Sequence, residues 1–315
     1  MKRSDVYFTP ITSELTTGQM SEMAASVLSR FVEREKISLN LEIPLKVHSG
    51  EPGNVTFLKP ALFNEIIDFL ENKRIKTFFT ETNTASGPRS TQKSHEAIAK
   101  EHGFTRIPFV IGDGQTGFGH RKIAITNGKH FKTCMIAKLL DKYEQIIVLT
   151  HFKGHVMSGF GGAIKMLGIG FASGRGKVDV HSKIELPDHE TIQWDKVSHR
   201  DEYGKMIWNP GFLYYGKDFN ERMAEYALAA CQGKKHIYIS YATDITENCD
   251  CDSRHMTPLY SDLGIFISQD PLALDKAVYD MLNKRENRKT FGGDNIFAYA
   301  EKIGLGSTNY SLIQL

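Results

Sequence analysis

The chain has 315 residues, and its 39 Lys plus Arg against 37 Asp plus Glu leave a net charge of +2. That balance argues against a nucleic-acid partner, which needs a one-sided basic field. Four cysteines are too few for a secreted disulfide scaffold, and only Cys249 and Cys251 are close in sequence, so a conventional four-cysteine iron–sulfur run is excluded. At about 150 residues per domain the length suits two lobes or one large α/β domain. The N-terminus, MKRSDVYFTPITSELTTGQM, has no apolar stretch of the kind a signal peptide carries, and no segment reaches the roughly 18 apolar residues of a membrane span. A cytoplasmic protein with reduced thiols and no membrane partner is expected.

Along the chain, helical and extended patterns alternate. Residues 16–35 place Met20, Met23, Val27 and Phe31 at helical spacing behind polar capping candidates. A strand is expected at 41–47, where Pro44 favours an edge or a bulge, followed by a helix near 60–73 with Phe63, Ile66, Ile67 and Leu70 on one face. Then come strand 76–80, helix 91–102, strand 107–111, helix 132–143 and strand 145–150. After these, helix 219–231, strands 236–241 and 263–268, and helices 271–284 and 294–303 complete the series. The alternation predicts an α/β fold with a largely parallel sheet and helices on both faces, in one or two lobes. Residues 1–182 read as an N-terminal α/β lobe carrying a glycine-rich run. Residues 183–218, with Trp194 and Trp208 and no sustained periodicity, read as an insertion or connector. Residues 219–315 read as a C-terminal α/β part that completes the sheet.

Five polar loops follow expected strands: HSGEPGN (48–54), ETNTASGPR (81–89), GDGQTGFGH (112–120), HFKGH (151–155) and TDITENCDC (243–251). In open parallel sheets ligands bind outside the carboxyl ends of the strands. These loops concentrate His, Cys, Asn and Arg, so one shared cleft is expected there. Cys249 and Cys251, two apart, would present both sulfurs on one face of an extended chain. They are too close to form a relaxed disulfide easily. His151 and His155, four apart, would share one side of a helical turn. Together the four make a His2Cys2 set suited to zinc or another soft metal. The alternatives are buried cysteines acting as small hydrophobes, or a thiolate activated by a neighbouring histidine.

GFGGAIKMLGIGFASGRGK (159–177) holds seven glycines with Lys165, Arg175 and Lys177, a composition that suits an anion. It is not a Walker A loop, since Gly170 to Lys177 is one residue too long and Val178 stands where Ser or Thr would be. Gly112, Gly114 and Gly117 match a dinucleotide fingerprint literally, but HRKIAI follows in place of an apolar helix. Lys46, His48 and Glu51 could supply acid–base groups, and Glu81 with Arg89 reads either as a structural ion pair or as a substrate clamp. His95 and His102 read as solvated or core residues.

KVHSGEPGN (46–54), TETNT (80–84), HEAIAKEHGF (95–104), residues 151–177, VHS (180–182), NCDC (248–251), SDLGIFISQDPLALDKA (261–277) and YAEKIGLGSTNYSL (299–312) together resemble the domain-of-unknown-function family 362. Its members are often labelled uncharacterised iron–sulfur centre proteins. Many of them carry a ferredoxin-like insertion after the segment matching VHS. Here 183–218 contains no cysteine, so the resemblance does not bring a cluster with it. Glu81 stands where relatives often have Asp. A fainter similarity links His151, Gly159, Phe160, Gly161, Gly162 and Lys165 to a loop of the nickel-pincer lactate racemases, and implies a related α/β lobe.

The resulting expectation is a cleft binding a metal ion, a small anionic ligand, or both. His151, His155, Cys249 and Cys251 would hold the metal. Asn83, Arg89, Lys153, Gly161, Gly162, Lys165 and Lys177 would hold the ligand, and His48 and Glu81 would handle protons. The alternatives are a non-catalytic cofactor-binding or accessory protein and a thiol redox enzyme using Cys249 and Cys251.

Overall fold

A computed structural model of the chain describes residues 3–187, 198–200 and 206–315. In chain order the strands are β1 (Ser4–Pro10), β2 (Leu45–Lys46), β3 (Phe79–Glu81), β4 (Phe109–Ile111), β5 (His120–Ala124), β6 (Thr133–Ala137) and β7 (Ile147–His151). There follow β8 (Lys153–His155), β9 (Gly159–Gly161), β10 (Ser198–Arg200), β11 (Met206–Trp208), β12 (Ile237–Ala242), β13 (Gly264–Ser268) and β14 (Tyr310–Gln314). The helices are α1 (Thr17–Arg34), α2 (Asn64–Asn72), α3 (Gln92–Glu101), α4 (Lys138–Lys142), α5 (Ala163–Gly168), α6 (Gly174–His181), α7 (Gly216–Cys231), α8 (Pro271–Arg285) and α9 (Asn295–Ile303).

Eight strands form one sheet in the order β14-β1-β13-β12-β7-β2-β3-β4. Every pairing is parallel except the two made by β13, which alone runs against its neighbours. The expected α/β class, with a largely parallel sheet, is therefore what the chain adopts. Both faces are covered, and the strand sequences show why. In β12, Ile237, Ile239 and Tyr241 enter the core beneath α1 and α2, while Tyr238 and Ala242 enter the opposite core beneath α5, α7 and α8. β7 divides in the same way, with Ile147 and Leu149 on one side and Val148 on the other. Strands buried on both faces need apolar residues at successive positions, which is the source of the continuous runs in the sequence.

Several elements differ from the sequence expectation. The helix expected at 132–143 is instead strand β6 followed by the single turn α4. β6 pairs antiparallel with β5 across a loop containing Asn127 and Gly128, and its Cys134, Met135 and Ile136 are buried. Pairing and burial override the helical spacing there, and the Asn-Gly dipeptide is the hairpin signal in the sequence. β1 and β14 were not expected. β1 lies between β13 and β14, and β14 adds to it in parallel. β2 is an interior strand and not an edge, because Pro44 stands just before it and its carbonyl accepts from the Ile147 N–H (3.1 Å). The helix expected at 60–73 opens with a tighter 3-10 turn at Pro60–Phe63. The expected connector at 183–218 lies partly outside the described residues. Among the described residues no helix is long and apolar enough to cross a membrane.

Phe266 is fully buried and stacks on Phe8 with ring centroids 5.4 Å apart, so it joins β13 to β1 on one face of the sheet. Phe266→Ala is expected to cost about 3–5 kcal/mol in urea unfolding. Leu41→Ala, at a site 80% exposed, should change stability by less than about 0.5 kcal/mol.

Candidate functional site

The five strands β12, β7, β2, β3 and β4 are consecutive neighbours and mutually parallel, so their carboxyl ends share one edge. The five loops singled out in the sequence leave from those ends. Hydrogen bonds stitch them together: Glu51 N–H donates to Asp250 O (3.0 Å), Asn54 Nδ2 to Asp252 O (3.0 Å) and Gly154 N–H to Thr246 O (2.9 Å). The 243–251 loop thus packs across both the 48–54 loop and β8.

Asp250, between the two cysteines, is buried and accepts from Lys153 Nζ (2.7 Å) and His151 Nδ1 (3.0 Å). His151 Nε2 donates to Thr243 O (2.7 Å). A carboxylate and a carbonyl are both acceptors, so the ring fits as a doubly protonated imidazolium. Burial would raise the Asp250 pKa, but Lys153 and His151 hold it far below the usual carboxylate range. His151 does not reach the sulfurs. It ends β7, and His155 ends β8, so no helical turn places the two imidazoles together.

Glu81, at the end of β3, accepts from four groups: Ser49 N–H (3.0 Å), Ser49 Oγ (2.7 Å), His95 Nε2 (2.8 Å) and Arg89 Nη1 (3.2 Å). Arg89 also donates to Glu51 Oε2 through Nε (2.8 Å) and is 1% exposed. Glu81 with Arg89 is therefore a buried ion pair. Burial disfavours the Glu81 charge, yet His95 and Arg89 more than offset this and hold its pKa well below normal. His48 is oriented by Gly50, whose N–H donates to Nδ1 (3.1 Å), which leaves the ring proton on Nε2. His48 also borders, with Leu58, Phe63, Leu149, His151, Met166 and Asp250, a gap too small to admit a water molecule. Burial, with Arg89 nearby, keeps His48 neutral at pH 7.

The glycine-rich run breaks into β9, α5 and α6. Its helix starts are filled by protein carboxylates. Asp275 from α8 accepts from Ala163 N–H (2.7 Å) and Ile164 N–H (2.9 Å), and Asp113 accepts from Gly174 N–H (2.7 Å). Gly162 leaves room for Asp275, since a Cβ there would lie 2.3 Å from its Oδ1. Asn83 fixes Asp113 through N–H (3.0 Å) and Nδ2 (3.1 Å). Lys177 Nζ donates to Thr82 O (3.1 Å), Thr82 Oγ1 (2.5 Å) and Asn83 O (2.5 Å), and the buried Lys46 Nζ donates to Val47 O (2.7 Å). Arg175 is occupied by Asp179 (2.5 Å) and Leu186 O (2.7 Å). Lys165 Nζ makes no hydrogen bond or ion pair among the described residues.

His155, Cys249 and Cys251 come together, with one ligand atom from each lying within 4.8 Å of the others. The two sulfurs are bonded to each other (2.09 Å), which the sequence spacing did not lead us to expect. Cys251 N–H points at Cys249 Sγ (3.4 Å), a donor that favours a thiolate. His155 Nδ1 lies 2.8 Å from Ser158 Oγ, which itself donates to Phe160 O (2.6 Å). Nδ1 also accepts from the Ser158 N–H (3.1 Å) and the Met157 N–H (3.3 Å), which places the ring proton on Nε2, so ligation through Nε2 needs that proton to move to Nδ1, where Ser158 Oγ can accept it. Burial, reinforced by Lys165, pushes the His155 pKa well below 6.5, and metal ligation needs that neutral form. Cys134 is buried and Cys231 partly so, and both are free thiols.

Asp250, Asp275, Asp113 and Ser49 escaped the sequence reading as site residues, and His95, read as solvated or core, is fully buried against Glu81. Asp250 was visible within Cys-Asp-Cys, but on an extended strand it points away from its neighbours. A depression of about 850 Å3 at the amino ends of β3 and β4 is lined by Arg74, Lys76, Phe78, Arg106 and Tyr143, and holds none of the expected site residues.

Replacing Glu81 by Gln leaves Arg89 with one carboxylate and is expected to cost about 3–5 kcal/mol at pH 7. Because the folded pKa of Glu81 is depressed, the stability it contributes is complete above the ordinary carboxylate range and is lost as pH falls from there through the lower folded value. Urea midpoints of wild type and Glu81→Gln should therefore begin to approach each other below about pH 4 and meet only at still lower pH.

No protein of curated function matches the sequence. Among solved structures, the lactate racemase apoprotein from Thermoanaerobacterium thermosaccharolyticum aligns with a TM-score of 0.43 and 14% identity over 76% of this chain and 51% of that one. A structural-genomics protein from Thermotoga maritima aligns with a TM-score of 0.48 and 10% identity over 87% of this chain and 59% of that one. The chain thus spans between half and three fifths of either structure's length. Residues 43–280 match the family model described as domain of unknown function (DUF362), and the chain belongs to that family.

Proposed function

We propose that the protein binds a soft metal ion through His155, Cys249 and Cys251. The observation that carries this reading is the convergence of these three donors, within 4.8 Å, at the strand edge where the five loops meet. One imidazole and two thiolates suit zinc and neighbouring soft ions, and three protein donors leave a coordination position for an exchangeable ligand. A metal held there supplies Lewis acidity to a ligand oxygen. The chain's own groups prepare the surroundings. Asp250, held by Lys153, fixes the loop between the two thiols, and Ser158 orients the His155 ring.

A second reading rests on the pairing of Cys249 with Cys251: a dithiol that cycles with its disulfide, for which His155 is not required as a ligand. Equilibrium dialysis of the thiol-reduced protein against zinc separates the two. The metal reading expects close to one zinc per chain, lost in Cys249→Ser/Cys251→Ser and weakened about 100-fold or more in His155→Ala. Zinc retained by the double-serine variant, or absent from reduced wild type, would overturn it. Absence of zinc together with rapid thiol–disulfide exchange would instead support the dithiol.

A further inference from the structure

We propose that Lys165 anchors a small oxyanion, a carboxylate or a phosphate, beside the sulfur–imidazole group. The proposal goes beyond the metal reading and does not depend on it, because it concerns a cation whose partner is missing whether or not the sulfurs hold an ion.

The other cations of the cleft are matched. Lys153 is paired with Asp250 (2.7 Å), and Arg89 with Glu51 (2.8 Å) and Glu81 (3.2 Å). Lys177 is held by Thr82 and Asn83, and Lys46 by Val47 O. Lys165 has no such partner among the described residues. The charges that act on it are Lys153, Arg89 and Lys177, all repulsive, and Asp250, which already serves Lys153 and His151. Burial, reinforced by Lys153, pushes the Lys165 pKa down to about 7, so its charged form is favoured by a counter-anion that the chain does not provide.

Position agrees with charge. Lys165 lies in the first turn of α5, and its chain passes over Gly161. A Cβ added at Gly161 would lie 3.0 Å from Lys165 Cδ and 4.0 Å from Lys153 Cε, so the two lysine chains run together over bare backbone. The nearby amides of Ala163 and Ile164 are occupied by Asp275, so an arriving anion is met by side-chain cations and not by the helix start. The neutral His155 and His181 complete the electrostatic surroundings; His181 donates from Nδ1 to Lys177 O (2.6 Å) and has its Nε2 unprotonated. Lys165 is only partly buried, whereas Lys46 is inaccessible, so it can be reached from outside. Acceptor-only oxygens and a negative charge are what this arrangement recognises.

The test is calorimetric titration of inorganic phosphate, and separately of acetate, into metal-free, thiol-reduced protein at fixed ionic strength. Saturable binding of at least one probe is expected, and the probe that binds assigns the class as phosphate or carboxylate. Lys165→Met should weaken it about tenfold or more, the loss of one charge-assisted hydrogen bond. Gly161→Ala, which displaces the Lys165 chain without removing the charge, should also weaken it, while the 74% exposed side chain of Lys217 can be replaced by Met without effect. Unchanged affinity in both folded site variants, or no binding of either anion by wild type, would overturn the proposal. Zinc binding measured on Lys165→Met reports on the metal site separately, so failure of one proposal does not hide failure of the other.

Discussion

The Asp250 carboxylate, between Lys153 Nζ at 2.7 Å and His151 Nδ1 at 3.0 Å, is the tie on which the architecture of the site depends. It joins the loop after β12 to the end of β7 and the start of β8. The flanking residues Cys249 and Cys251 are thereby carried to His155. A buried carboxylate between two cations costs little as long as both remain, and much if either is lost. The same residue thus sets loop position and local charge, and it ties the packing of the loop to the chemistry of the sulfurs beside it.

Around that tie the cleft is built from buried charges matched almost one to one. Glu81 gathers Ser49, His95 and Arg89, Asp113 gathers Asn83 and the start of α6, and Asp275 closes the start of α5. Each set of contacts links a loop at one strand end to a neighbouring element, which holds five loops in fixed relation despite their polar composition. The glycines serve the same end. Gly162 makes room for Asp275, a side chain from α8, and Gly161 for the Lys165 chain of the run itself.

Much of this was legible in the sequence. Continuous apolar runs at 145–150 and 236–241 announced strands covered on both faces, and the rule that sites lie beyond parallel strand ends pointed to the edge where the five loops meet. The grouping of His155 with Cys249 and Cys251 followed from that placement. The partnership of His151 did not, because spacing of four says nothing once the chain runs as two strands separated by Phe152. β1 and β14 were missed because their amphipathic, partly exposed patterns resemble those of loops, and they acquire a place only through pairing with β13 and with each other. The hairpin at 120–137 was overlooked because long-range packing of Cys134 and Ile136 outweighs local helical spacing. Partners such as Asp113 and Asp275 lie 61 and 112 residues from the helix starts they cap, a separation that local patterns do not encode.

The central claim is that Cys249, Cys251 and His155 act together as one ligand set. Electronic absorption of the thiol-reduced protein loaded with cobalt(II) tests it most directly, because thiolate ligation and low coordination number each have their own signature. The expected result is an intense thiolate-to-cobalt charge-transfer band with strong visible bands of four-coordinate cobalt, both altered by His155→Ala and abolished by Cys249→Ser/Cys251→Ser. Weak visible bands of six-coordinate cobalt with no charge-transfer band in wild type would contradict it.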